Sequence, residues 1–192
     1  MDVRIAVTIE GMSPLLMNRF QLPEIEDKEK SGGKVNAHPR NETPRDTATK
    51  CLYLDEGGTI VMPGVNLFAS IMQAGIYFKD GKRQWSTGSG SHLPGVCGIE
   101  EIHVPTIHKN WEVDSRPVKI PSTGGRIVRY RPRFDQWKLK YHLYFDKDLI
   151  DMNVLRNIVD AAGKRVGLGD FRPSCKGVFG KSVVTSWKRL KR

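Results

Sequence analysis

Cysteine is scarce in this chain and poorly arranged for cross-linking. Cys51, Cys97 and Cys175 are three in 192 residues and form no Cys-x-x-Cys pair, which argues against a disulfide framework and a zinc knuckle and fits a reducing compartment. The five histidines, His38, His92, His103, His108 and His142, show no metal-ligand spacing, so no metal site is expected. No Gly-Lys-Ser/Thr stands at P-loop spacing, and Gly167-Leu168-Gly169 follows a helix-like pattern rather than a strand, so no nucleotide cofactor is expected either. No apolar run approaches the roughly 20 residues of a membrane span, and the start lacks the order of a signal peptide. A cytoplasmic protein without membrane contact is the expectation. Acids are also short: 21 Asp and Glu face 31 Lys and Arg, for a net charge of +10.

What is present is globular in kind. Hydrophobic content of 39% and charged content of 27% suit one domain over residues 1–192 with a real core. The positive charge is clustered. Residues 161–192 hold nine Lys and Arg against Asp170, and residues 116–142 hold eight against Asp135, interleaved with Tyr130, Phe134, Trp137 and Tyr141. Basic clusters with interspersed aromatics are the footprint of a nucleic-acid binder. Residues 163–181 pack five glycines and five Lys or Arg into nineteen positions. Glycine permits positive φ and close backbone approach, so this loop is expected to turn N–H groups and cationic side chains toward phosphates.

Along the chain, Val3, Ile5, Val7 and Ile9 alternate with polar positions and predict a half-buried strand. Residues 21–49 turn polar and proline-containing, predicting a mobile insert. Residues 51–54 and 59–62 read as a hairpin around Asp55-Glu56-Gly57-Gly58. A helix from about 65 to 78 carries Val65, Phe68, Ile71, Met72, Gly75 and Ile76 on one stripe. Residues 79–98 and 108–126 read as further mobile inserts, with a strand between them around Ile102, Val104 and Thr106. Alternation resumes at 126–133, placing Ile127, Arg129, Arg131 and Arg133 on one side. In 138–145, Leu139, Tyr141, Leu143 and Phe145 face the core, and Lys138, Lys140, His142 and Tyr144 face away. Asp151 caps a helix striped with Val154, Leu155, Ile158, Val159 and Ala162, which Gly163 ends. A strand at 181–187 and a basic tail follow.

The main elements give βαββαβ, an α+β, ferredoxin-like order with an antiparallel sheet, two helices on one face and the other face free. RRM-type proteins hold RNA on that free face. Ile60-Val61-Met62-Pro63-Gly64-Val65-Asn66-Leu67 opening the first helix, together with the glycine loop between the second helix and the last strand, resembles the RAMP superfamily, the RNA-binding proteins of Class 1 CRISPR effector complexes. The insert after the first strand makes the backbone subunit that polymerises along guide RNA the best fit. Val65-Asn66-Leu67-Phe68 departs from the Ser and Lys usual at that helix entrance, and the chain is short for a backbone subunit, as in a reduced or virus-encoded version.

The resemblance implies a non-catalytic subunit in an antiviral ribonucleoprotein, with guide RNA, a complementary target, further copies of itself and other effector subunits as partners. Lys164, Arg165, Arg172, Lys176 and Lys181 would grip phosphates from the glycine loop. Lys138, Lys140 and His142 would line the sheet, and Arg126, Arg129 and Arg131 would contact RNA or an adjacent subunit. Relatives that cleave RNA with a metal use a loop Asp, for which Asp27 and Asp46 are the candidates. Metal-independent processing would use His142 with Lys140 and Tyr144. A sequence-nonspecific single-strand binder remains a third reading.

Overall fold

The structure, a computed structural model, describes residues 2–20, 42–119 and 124–190. Among the described residues it is an α+β fold with antiparallel sheets and three α-helices. β1 (Asp2–Gly11), β2 (Leu15–Leu16), α1 (Pro44–Thr49), β3 (Val61–Pro63) and α2 (Gly64–Ala74) come first. The short β4 (Lys79–Asp80), β5 (Arg83–Gln84), β6 (Cys97–Ile99) and β7 (His103–Pro105) follow. β8 (Glu112–Lys119), β9 (Arg126–Phe134), β10 (Lys138–Asp146), α3 (Met152–Ala161) and β11 (Ser182–Arg189) complete it. Among the described residues no helix is long and apolar enough to cross a membrane.

The main sheet runs β11-β1-β10-β6, every neighbour antiparallel. In chain order its strands stand fourth, first, third, second. α2 occupies the first crossover and α3 the last. The alternation of β1 and β10 is what makes this possible: Ile5, Val7, Leu139, Tyr141, Leu143 and Phe145 are all at most 1% exposed. They share one core with Leu67 and Ile71 of α2 and Leu155 and Ile158 of α3, each buried aliphatic contributing about 1.5–3 kcal/mol. Asp151 caps α3 as expected, accepting hydrogen bonds from the backbone N–H groups of Asn153 and Val154.

Several elements differ from their sequence reading. The strand that pairs with β10 is β6, too short to show a pattern and lying largely within residues read as an insert, whereas Ile102 sits in a bend and is 78% exposed. The expected hairpin over 51–62 keeps a Leu54–Ile60 bridge, but β3 pairs with β7. The 79–98 stretch is pinned by Trp85 and Leu93, both in the core. Residues 112–119, read as part of an insert, form β8, which pairs with β9 over eight residue pairs; this pairing supplies order that local sequence does not. The α3 helix does not stop at Gly163. It continues through a π-helical turn, Ala162–Val166, to Gly167 at φ +77°, and Gly163 is required because a Cβ there would meet the Ser182 carbonyl oxygen at 2.5 Å. Of the insert predicted at 21–49, residues 21–41 lie outside the described residues and Pro44–Thr49 form α1.

Candidate nucleic-acid interface

The glycine loop is a packed element rather than an open nest. Its amides are used internally: Leu168 donates to Gly180 O (2.9 Å), Gly177 to Arg172 O (2.9 Å), Asp170 to Leu16 O (2.8 Å) and Gly180 to Pro14 O (2.7 Å). The expectation that successive N–H groups face an anion is therefore corrected. The glycines serve backbone approach: at Gly169, φ +70°, a Cβ would meet Leu16 O at 2.2 Å, and at Gly180, φ +69°, Leu168 O at 1.9 Å. Val166, Leu168 and Phe179 are buried beneath the loop.

A second clamp comes from the β8–β9 hairpin. The Arg131 side chain, 5% exposed, donates through Nη2 to Asp114 at 3.3 Å and through Nη1 to Asp170 at 2.7 Å. Asp170 also accepts from Asn18 Nδ2 (3.1 Å) and from the Phe171 N–H (2.8 Å). Arg131, expected to contact RNA or an adjacent subunit, is here a buried strut between hairpin and loop, its two terminal nitrogens on carboxylates and its Nε buried away from solvent. Arg116 adds to the clamp, donating to Asp114 at 2.7 Å with its guanidinium 4.7 Å from the Phe179 ring centre.

Beyond this clamp the hairpin changes character. In register, Glu112 faces Arg133 and Asp114 faces Arg131, but then Arg116 faces Arg129 and Lys119 faces Arg126. Like charges directly opposite destabilise a sheet. Arg126, Arg129 and Lys119 are exposed and make no ion pair with another described residue. Among the described residues these three cations present positive charge to solvent without an acid beside them, whereas Arg116 is held by Asp114.

On the loop itself Lys164, Arg165 and Lys176 are exposed, and Lys181 is half-buried. Arg165 stacks on Tyr77, its guanidinium 4.9 Å from the ring centre. Arg172 is partly spoken for, donating to Gly169 O and Ser174 Oγ, both at 2.9 Å. Between loop and α2 lies a half-open cleft of about 230 Å³, floored by Asn66 and Ser70 and walled by Gly167 to Asp170. Ser70 Oγ donates to Gly167 O at 3.0 Å, joining the two walls. The helix entrance and the glycine loop, about a hundred residues apart, meet here.

The free face of the main sheet is less cationic than its sequence suggests. Lys138 pairs with Glu10 at 3.0 Å, and Arg4 is bound at 2.5 Å by both oxygens of Glu100, whose carboxyl is held below its usual range chiefly by that Arg4 hydrogen bond. His142 is gripped by Glu101, which accepts from Nδ1 at 2.5 Å and from the backbone N–H at 2.9 Å. Lys140 remains exposed and makes no ion pair with a described residue. Lys188, missed by the sequence reading, joins this face opposite Ala6, itself opposite His142. Glu101 was missed as well, since it reaches His142 from a loop 41 residues away.

Asp46, the weak catalytic candidate, completes a capping box: it accepts from the Thr43 N–H and hydroxyl, which hold its carboxyl below its ordinary value. Its geometry is that of a helix cap. Asp27 lies outside the described residues.

No family model matches the chain, and no curated protein matches it. Among solved structures it is similar to a chain of the cryo-EM structure of the Type III-B Cmr-beta bound to cognate target RNA, with a TM-score of 0.49 and 8% identity. That match covers 99% of this chain and 61% of the other, so this chain spans about three fifths of its length.

Proposed function

We propose that this chain is a guide-RNA-binding subunit of RAMP type that assembles along a CRISPR-type RNA with further copies of itself and other effector subunits. The strand order fourth, first, third, second, with a helix in each crossover, supports a ferredoxin-like frame. The observation that carries the reading is the convergence at one cleft of the two stretches that resemble the family, the helix entrance at 60–67 and the glycine loop at 163–181. Lys164, Arg165 and Lys176 on the loop and Lys119, Arg126 and Arg129 on the hairpin supply phosphate contacts from two sides. Lys140 and Lys188 extend the cationic surface across the sheet.

The direct test is the salt dependence of single-stranded RNA binding. Lys164→Ala with Arg165→Ala should weaken binding and flatten the salt slope by about two, roughly one unit per lost phosphate contact. Unchanged binding and slope would contradict the loop as the grip.

A second reading, a metal-independent guide-processing RNase, is favoured by one geometry. With Nδ1 held by Glu101, His142 leaves Nε2 to act as a base, flanked on the same face by Lys140 and Tyr144. In that reading Nε2 takes the proton of a 2′-hydroxyl whose oxygen attacks the adjacent phosphorus, the 5′-oxygen leaves, and Lys140 stabilises the developing charge. Cleavage of repeat RNA in the presence of a metal chelator, lost in His142→Ala, is the observation that would elevate it.

A further inference from the structure

We infer that the cleft between α2 and the glycine loop reads one unpaired nucleobase of the bound RNA, so that each subunit carries a single position of base preference. The inference rests on the RNA-binding reading above and adds to it a specificity that phosphate contacts cannot supply.

Four residues of α2 line the cleft: Asn66, Ala69, Ser70 and Gln73. They stand at i, i+3, i+4 and i+7, which is one face of a helix. Most helix faces at that spacing are apolar and buried, or charged and solvated. This one is neither. It offers two carboxamides about two helical turns apart, with Ala69 between them contributing nothing beyond its Cβ, so the floor is open.

Most other polar side chains of the cleft are engaged. The Ser70 hydroxyl is bound to Gly167 O, the Asp170 carboxylate to Arg131, Asn18 and the Phe171 N–H, and the Arg172 guanidinium to Gly169 O and Ser174. The Asn66 and Gln73 carboxamides make no hydrogen bond with another described residue. What remains on offer is chiefly uncharged, a donor and an acceptor on each amide and the Tyr53 hydroxyl, beside the Nη2 of Arg172. Such a surface suits a neutral ligand with hydrogen-bonding edges better than a phosphate.

Size and surroundings agree. A volume of about 230 Å³ lies below the roughly 300–1,000 Å³ of sites for drug-sized ligands and suits one base. Tyr53, which lines the cleft, is an aromatic residue of the kind on which unstacked RNA bases rest. Arg165 on Tyr77 stands one helical turn beyond Gln73, where the phosphate next to an inserted base would pass. A carboxamide pairs bidentately with the N6/N7 edge of adenine, so adenine is the base expected.

The test measures affinity by fluorescence anisotropy for oligo(rA), oligo(rU) and oligo(rC) of equal length, using the full chain and three variants. The unmodified protein should favour oligo(rA) by about fivefold or more, the lower end expected of one bidentate base contact. Asn66→Ala with Gln73→Ala should abolish that preference while leaving oligo(rU) affinity within about twofold. Ala69→Leu, which fills the floor without removing a polar group, should do the same. Lys164→Ala with Arg165→Ala should weaken all three alike and keep the preference. Thermal unfolding of each variant establishes that it is folded. Equal affinity for the three oligomers, a preference for oligo(rU) or oligo(rC), or a preference that survives both cleft variants would overturn the inference and leave the RNA-binding reading standing. No binding to any oligomer would overturn the two together.

Discussion

The two halves of the β8–β9 hairpin both carry arginines and do opposite things with them. Near the body, opposite charges face each other across the strands, and Arg131 is buried between Asp114 and Asp170, locking the hairpin to the glycine loop. Toward the tip, Arg116 faces Arg129 and Lys119 faces Arg126, with no acid among residues 116–119 and 126–129. An arginine between carboxylates is structure, whereas Arg126, Arg129 and Lys119, exposed and with no acid among the described residues beside them, are an unmet demand for an anion. The lesson is that a count of basic residues over 116–142 mixes two functions that only pairing separates.

The largest expected effect comes from breaking the structural half. Arg131→Met removes the cation shared by Asp114 and Asp170, leaving buried Asp114 with Arg116 alone, and should cost about 2–4 kcal/mol, somewhat less than the full loss of a buried ion pair. Chemical denaturation measures it, and a change below about 1 kcal/mol would show that the strut is not what fixes the hairpin. Next is the loop that the strut holds. Gly169→Ala demands positive φ of an L-residue and drives a Cβ into Leu16 O, so it should destabilise by more than about 1 kcal/mol, read as a fall in thermal midpoint. Breaking the tip should do the reverse. Arg126→Ala with Arg129→Ala removes one member of each like-charged rung, so stability should hold or rise slightly, while RNA affinity falls and the salt slope drops by about two. A loss of stability with unchanged RNA binding would invert the comparison.

The smallest effect sharpens it chemically. Cys51 is buried beneath the hairpin, with Sγ 3.8 Å from Tyr130 O, and burial pushes its thiol up. Burial likewise raises the Cys97 thiol to about 12, while Cys175 is exposed. Since the thiolate is the reactive form, alkylation at neutral pH should modify Cys175 first. Arg131→Met should accelerate Cys51 and leave Cys97 slow. Mass spectrometry of the labelled peptides reads the order, and equal rates at Cys51 and Cys175 in the unmodified protein would show that the hairpin does not cover Cys51.

Legibility in the sequence follows how local each cause is. β1 and β10 were readable because alternation decides which side chains meet the core, and α3 was readable from its apolar stripe and its Asp151 cap. β8 was not, because the turn residues Pro117, Pro121, Gly124 and Gly125 read as an insert until β9 lies alongside. The glycine loop was found for a reason only partly right. Its composition marked it, but Gly163, Gly169 and Gly180 answer to Ser182, Leu16 and Leu168 rather than to a ligand. The strut role of Arg131 was not legible because its partners stand 17 and 39 residues away. The cleft could have been noticed in Asn66 and Gln73 at i and i+7, but only the fold brings the loop over them.

The central claim is that the chain holds guide RNA within an assembly. Purification from expressing cells without nuclease treatment, followed by sequencing of the co-purifying nucleic acid and a mass measurement of the particle, tests it most directly. The account predicts discrete repeat-derived RNA in a particle of several subunits; heterogeneous nucleic acid, or a bare monomer, would contradict it.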